Sequence, residues 1–382
     1  MATKNSRVTG TDLEQRKWDN RLRKPAEAAD IFSQFRGDII GENVLPGTPF
    51  VVVKQSGQTT RVMGLVKALS GAGKNGRDAL SGSEEKLATI PFTAYSNEFK
   101  HGVNQDRFGI DAQANKPYAL LAVAVPLLNE FMEKNLGTHR RQGLLQRYSF
   151  NLTAAPTSRT QHWNSNFFVG GVAFSSQPAY SDTLATYTSA IGAALPASPA
   201  AANQMNLANI KKLDQWIRTQ KRMKPYKGQK YIVTVPTNQK YILMDETVGI
   251  GKLTLNTTTN SMNLENWIGA WGSLEFVEDI RNSVITRVSA SALTATYTTV
   301  DDSRPGVGVA NWDVSYVLGA DSAIELELEA RHLERDNSVE YGREERVGAY
   351  SNYGVQTIEW SDDTDDMKNY GSAIAVWASE PA

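Results

Sequence analysis

Between Gln58 and Val103 the chain is extended, turns, and is extended again. The outgoing segment covers Gln58 to Leu69 and the returning one Lys86 to Val103, where Ile90 and Phe92 share one side of the pleat. The connection, Ser70 to Glu85, holds Gly71, Gly73, Gly76 and Gly82 and is far longer than an ordinary hairpin loop. A two-stranded ribbon of this kind is marginal in water unless something packs against it. The chain therefore either covers the ribbon itself or presents it to a neighbour.

The segment before the ribbon poses the same problem. Residues 1 to 36 carry eight basic side chains against five acidic ones, with Leu13, Trp18 and Leu22 as sparse apolar residues. Such a stretch does not build a core of its own and reads as an arm lying on another surface. Pro46 and Pro49 then bracket a turn into a β-branched strand start at Phe50 to Val53.

Downstream the pattern becomes that of a folded body. Pro117 opens a helix whose apolar residues Tyr118, Leu121, Val125, Leu128 and Met132 recur at 3,4 spacing. Continued to about Tyr148 it spans roughly 45 Å, with a kink expected at Pro126. Its second half, Lys134, His139, Arg140, Arg141 and Arg147, is basic. Residues 151 to 206 are rich in Ala, Ser, Thr, Asn and Pro and read as a long excursion.

A helix over Leu207 to Lys224 turns Leu207, Ile210, Leu213 and Ile217 inward and Lys211, Lys212, Arg218 and Arg222 outward, stopping at Pro225. Strands are expected at Tyr231–Val235, Tyr241–Met244, Trp312–Leu318, Ala323–Glu329, Val355–Trp360 and Ala373–Trp377. In Ala323–Glu329, Ile324, Leu326 and Leu328 alternate with three glutamates, as for a strand with one wet face.

Composition excludes several classes. The absence of cysteine removes disulfides, thiolate nucleophiles and zinc–thiolate sites. Forty Lys and Arg against 41 Asp and Glu leave no global field for nucleic acid or membrane, so any electrostatic partner is met locally. The longest apolar stretch, Tyr118 to Leu128, is too short to cross a bilayer, and Met1 to Asn20 lacks the apolar core of a signal peptide. The chain is accordingly expected to stay in the compartment where it is made, away from membranes.

Motif chemistry is sparse. Gly71-Ala-Gly73-Lys-Asn-Gly76 matches a dinucleotide fingerprint but lacks the helix that must begin at its third glycine. His101, His139, His162 and His332 show no metal-ligand spacing, and Asp362-Asp363-Thr-Asp365-Asp366 lacks the glycine and terminal glutamate of a calcium loop. Lys and Arg around Tyr226 and Tyr231 do not build a regular aromatic platform for single strands. No catalytic residue, cofactor or metal is expected.

One resemblance goes further. Thr60-Arg-Val-Met-Gly-Leu-Val-Lys-Ala-Leu-Ser-Gly-Ala-Gly73, followed by Gly76-Arg-Asp-Ala-Leu-Ser-Gly82-Ser-Glu-Glu85, resembles the extended-loop segment of tailed-phage major capsid proteins, in particular the group typified by the enterobacterial podovirus N-four. Asn104-Gln-Asp-Arg107, Tyr231-Ile-Val-Thr-Val-Pro-Thr237, Trp267-Ile-Gly-Ala-Trp-Gly272 and Glu340-Tyr-Gly342 are similar to further landmarks of that group, in the same order.

This resemblance implies an α+β chain of the Hong Kong 97 type: arm (1–48), extended loop (49–103), peripheral domain with spine helix and insertion (104–206), axial domain (207–270) and remaining axial and peripheral strands (271–382). It implies a bacteriophage coat protein that assembles in the bacterial cytoplasm into the hexamers and pentamers of an icosahedral virion shell. The other partners it implies are packaged DNA, contacted without sequence reading, and scaffolding, portal and decoration proteins. On this reading Lys67, Lys74, Arg77, Glu84, Glu85 and Lys86 make intersubunit contacts. Arg16, Lys17, Arg21, Arg23, Lys24, Arg140 and Arg141 face the genome. The alternatives are an Asp/Glu-dependent hydrolase with a cleft lined by Trp267, Trp271, Trp312 and Trp360, or a phage carbohydrate-binding or decoration protein.

Overall fold

The computed structural model describes residues 30–38, 47–54, 60–66, 89–106, 117–150, 160–244, 264, 266–281, 283–297, 310–336, 344–361 and 367–379. A 3-10 turn, Ile31–Phe35, leads into β1 (Arg36–Asp38) and β2 (Phe50–Lys54). The ribbon strands are β3 (Thr60–Val66) and β4 (Thr89–Tyr95), followed by β5 (Asn97–Asp106) and the long helix α1 (Pro117–Leu145). Next come β6 (Phe167–Val169), α2 (Leu184–Ala194), α3 (Leu207–Gln215) with a π-helical extension Trp216–Lys221, β7 (Tyr231–Pro236) and α4 (Thr237–Met244). The remaining strands are β8 (Trp267–Trp271), β9 (Leu274–Asp279), β10 (Ser283–Ser289), β11 (Ala292–Tyr297), β12 (Ala310–Leu318), β13 (Ala323–Asp336), β14 (Glu344–Thr357), β15 (Trp360–Ser361), β16 (Met367–Lys368) and β17 (Ser372–Ala378).

Two sheets carry the body. One runs β1-β2-β13-β14-β5, with β2 parallel to β1 and β13 and the remaining pairs antiparallel. The other runs β11-β10-β12-β7-β9-β8, with β17 joining β12 to β6. The main core lies where α1, α2 and the 3-10 turn meet this second sheet, around Phe32, Phe35, Leu144, Tyr187, Trp312 and Tyr316. A separate cluster seats α3 through Ile210, Leu213, Trp216 and Ile217 on Phe168, Phe276 and Trp377. Among the described residues no helix is long and apolar enough to cross a membrane.

Four expectations are corrected by packing. Tyr241–Met244 is helical rather than extended, because Gln239, Ile242 and Leu243 turn inward at i, i+3, i+4. The polar member hid that period: the Gln239 amide is buried and donates to Asp313 Oδ2 (2.7 Å) and the Ala378 carbonyl (2.9 Å). The glutamate side of β13 is not wet at Glu325, which is buried under α1. Residues 160–206 are no excursion, since Phe167, Tyr187 and Ile191 belong to the main core. Residues 30–38, expected within the arm, are built into the body: Phe32 and Phe35 are buried, and Phe32 packs against Phe50 and Tyr316 with ring centroids 5.5 and 5.7 Å apart.

The ribbon joins the body at a tight crossing. At Gly354 on β14, a Cβ would overlap the carbonyl oxygen of Tyr95, at the bend between β4 and β5. Gly354→Ala is expected to destabilise the fold by about 1–3 kcal/mol through this overpacking. The urea midpoint reads it, and an unchanged midpoint would mean that the bend relaxes freely.

Candidate functional site

Three surfaces bear on function, beginning with the ribbon. β3 and β4 pair antiparallel from Thr60↔Tyr95 to Val66↔Thr89. Their root is anchored, because Phe92 and Ala94 are buried with Val51, Val53, Ile324 and Leu326, and Met63 packs against that cluster. The alternate residues face outward: Val62 is 65% exposed, and Gly64 and Pro91 are exposed beside it. The pleat thus gives one face to the body and leaves an apolar residue on the other bare. The tip residues Lys67, Lys74, Arg77, Glu84, Glu85 and Lys86 lie outside the described residues.

The second is the root of the arm. Arg140 and Arg141, expected to face the genome, are enclosed by the chain itself. Arg140 donates to Asp30 Oδ2 (2.6 Å) and, through two nitrogens, to both oxygens of Glu325 (3.1 Å each). Arg141 donates to both oxygens of Asp279 (3.0 and 2.5 Å) and to the Gly137 carbonyl, and its guanidinium sits 4.9 Å from the Phe32 ring. Arg36 adds 3.2 and 3.5 Å contacts to Glu325 and Glu327.

Burial alone pushes both guanidinium groups toward neutrality. For Arg140 the Glu325 and Asp30 carboxylates outweigh that push and hold the group charged, and for Arg141 Asp279 and Asp30 do so. Arg140 and Arg141 therefore do not face a genome but tie the chain's own segments together. Sequence counted their charge but not the carboxylates that three distant segments bring to it. Arg16, Lys17, Arg21, Arg23 and Lys24 lie outside the described residues.

The third is the face of α3 and its π extension. The helix starts at Asn206, whose side chain accepts from the Asn209 amide. Its buried side leaves Lys211, Gln215, Arg218, Thr219 and Gln220 exposed, followed by exposed Arg222 at φ +48°.

Other sequence candidates do not converge. Trp312 is fully buried and Trp267 donates to Glu275 (2.6 Å), so the tryptophans do not line one cleft; the Trp360 side chain lies outside the described residues. Tyr231 is buried, with its hydroxyl donating to the Met223 carbonyl (2.7 Å). Among the described residues no group of three His, Asp or Glu is placed to hold a metal ion. The glycine-rich tip, Asp362–Asp366, Arg107 and Glu340–Gly342 lie outside the described residues.

These two sheets, the long helix and the separately paired ribbon are the Hong Kong 97 type fold of tailed-phage capsid proteins. The chain is similar to the capsid protein of the cyanophage Pam1, with a TM-score of 0.61 and 12% identity over 92% of this chain and 93% of that one. It is likewise similar to the capsid protein of Ralstonia phage GP4, with a TM-score of 0.59 and 13% identity over 92% of each chain. The head protein of Helicobacter pylori bacteriophage KHP40 gives a TM-score of 0.57 and 11% identity over 92% and 91%. No family model and no curated protein matches the sequence.

Proposed function

We propose that this chain is the major capsid protein of a tailed bacteriophage, a structural subunit rather than an enzyme. Copies associate into hexamers and pentamers of an icosahedral virion shell, assembled in the bacterial cytoplasm around DNA that is held without sequence reading. Scaffolding, portal and decoration proteins complete the set of partners. The observation that carries the proposal is agreement of fold over about 92% of the chain with capsid proteins of comparable length.

The bare ribbon face supplies the physical rationale. Val62 gains burial only if another surface covers it, and a weak contact repeated over many copies accumulates into a stable shell. Residues 49–103, rooted in the first sheet by β2 and β5, supply the extended loop, and Lys67, Lys74, Arg77, Glu84, Glu85 and Lys86 set register through charge pairs with a neighbour. The arm comprises the residues before Asp30, with Arg16, Lys17, Arg21, Arg23 and Lys24 toward phosphate. The spine helix and following segment to residue 206 form the peripheral domain, 207–270 the axial domain, and 271–382 strands of both.

Deleting residues 70–85 is expected to leave a folded chain with an unchanged far-ultraviolet spectrum that forms no particles by negative-stain microscopy. Normal particles from the deletion would overturn the loop assignment. A full-length chain that stays a compact monomer under all assembly conditions would overturn the capsid reading.

A further inference from the structure

Between Lys211 and Lys230 the sequence has eight basic residues (211, 212, 218, 221, 222, 224, 227 and 230) and one acidic, Asp214, in a chain whose total charge is nearly balanced. Tertiary structure accounts for part of this excess. Lys224 pairs with Asp321 (2.5 Å), Lys230 with Glu275 (2.5 Å), and Lys221 lies 5.3 Å from the Trp216 ring. Asp214 is engaged by the Ser273 hydroxyl. Lys211, Arg218, Arg222 and Lys227 remain exposed, with no ion pair among the described residues.

The rest of this face identifies the kind of partner. Between the cations stand Gln215, Thr219 and Gln220, all exposed, and none of the large exposed apolar residues falls within 207–230. A protein partner draws its binding energy from buried aromatic and aliphatic anchors, which this face does not offer. A phosphate backbone asks for cations and hydrogen-bond donors on a polar surface, and for nothing else. Lys211 and Arg218 are separated by seven residues, about 10 Å along the axis. The π-helical turn then carries the chain to Arg222 beyond the helix end, so the cations form an extended track rather than a point.

We infer that the exposed face of α3 and its extension, carried by Lys211, Arg218 and Arg222, is a binding surface for the phosphate backbone of duplex DNA, indifferent to base sequence. The choice of DNA among polyanions rests on the capsid reading.

The test uses the full-length chain, dispersed below the concentration at which particles appear, and a fluorescent 30-base-pair duplex of random sequence. Anisotropy is followed from 50 to 200 mM salt. R218Q/R222Q is compared with K54Q/K100Q, which removes the same charge from exposed lysines of the β1-β2-β13-β14-β5 sheet. Removing two phosphate contacts lowers the slope of log affinity against log salt by about 1.8. That drop is expected for R218Q/R222Q, with no change for K54Q/K100Q and no preference between duplex sequences.

Equal effects of the two variants, no binding by the unsubstituted chain at 50 mM salt, or equal R218Q/R222Q-sensitive binding of polyglutamate would each overturn the inference. Microscopy of the same proteins separates the two readings. Particles with unaltered DNA binding in R218Q/R222Q sink the surface alone. The expected slope change without particles under any condition sinks the capsid reading and leaves a polyanion surface.

Discussion

Arg140→Met is expected to cost about 3–5 kcal/mol of folding stability, the range for breaking a buried ion pair from one side. Arg140 is wholly enclosed, and its removal takes the 2.6 Å contact from Asp30 and the two-nitrogen contact from Glu325, so two buried carboxylates lose a counter-ion. The cost comes from the stranded carboxylates rather than from lost attraction. Adding Glu325→Gln to Arg140→Met is therefore expected to restore part of the loss, although it deletes a second member of the network. Urea midpoints of the three proteins check this. A single variant within 1 kcal/mol of the unsubstituted chain, or a double variant worse than the single one, would show that the cluster is hydrated and weak. Because Asp30 begins the 3-10 turn that seats Phe32 and Phe35, the single variant is also expected to loosen that turn, read as faster proteolysis within Ile31–Phe35.

The second large effect depends on pH. His139 lies on α1 between Phe99 of β5 and Tyr353 of β14, with ring centroids 5.5 and 5.2 Å away. Its Nδ1 is buried without a hydrogen-bond partner. Burial lowers its pKa to about 4. The folded state then binds this proton less readily than the unfolded chain, whose histidine titrates near the ordinary value of about 6.5. Stability is fully present above pH 6.5 and falls as pH drops from 6.5 toward 4, by up to about 3 kcal/mol from this residue. His139→Phe keeps the ring packing and removes the proton site, so the difference between urea midpoints at pH 7 and 4.5 is expected to shrink. Carboxylates titrate alike in both proteins and cancel in the comparison. An unchanged difference would place the His139 proton equilibrium in a wet environment.

Local pattern reached far into this molecule where side-chain period and backbone chemistry agree. Pro117 and the 3,4 stripe marked α1, observed over Pro117–Leu145, and the apolar positions of Leu207–Lys224 marked the buried side of α3 with its basic residues outward. The two extended segments around the glycine-rich tip did pair as an antiparallel ribbon over Thr60–Val66 and Thr89–Tyr95, whereas the returning segment from Asn97 on left the ribbon to pair with β14. Pattern failed where a polar residue is buried. Gln239 masked the period of α4, Glu325 imitated a solvent-facing position, and Arg140 and Arg141 counted as surface charge. In each case the missing fact was a partner more than 70 positions away: Asp313 for Gln239, Glu325 for Arg140 and Asp279 for Arg141. The outward basic residues of α3 were read from its pattern, but only the pairing of Lys224 and Lys230 showed which of the cations over 211–230 are already spent.

Sequence alone determined helices α1 and α3, the ribbon and the chain's lack of thiol chemistry, because periodicity, proline placement and composition act over a few residues and require no knowledge of what lies opposite. Only the tertiary structure decided which charges are inside, that residues 30–38 belong to the body, and that one side of the ribbon stays bare. Burying a charge is tolerable only when distant segments deliver its counter-ion, and that delivery is a property of the folded chain as a whole.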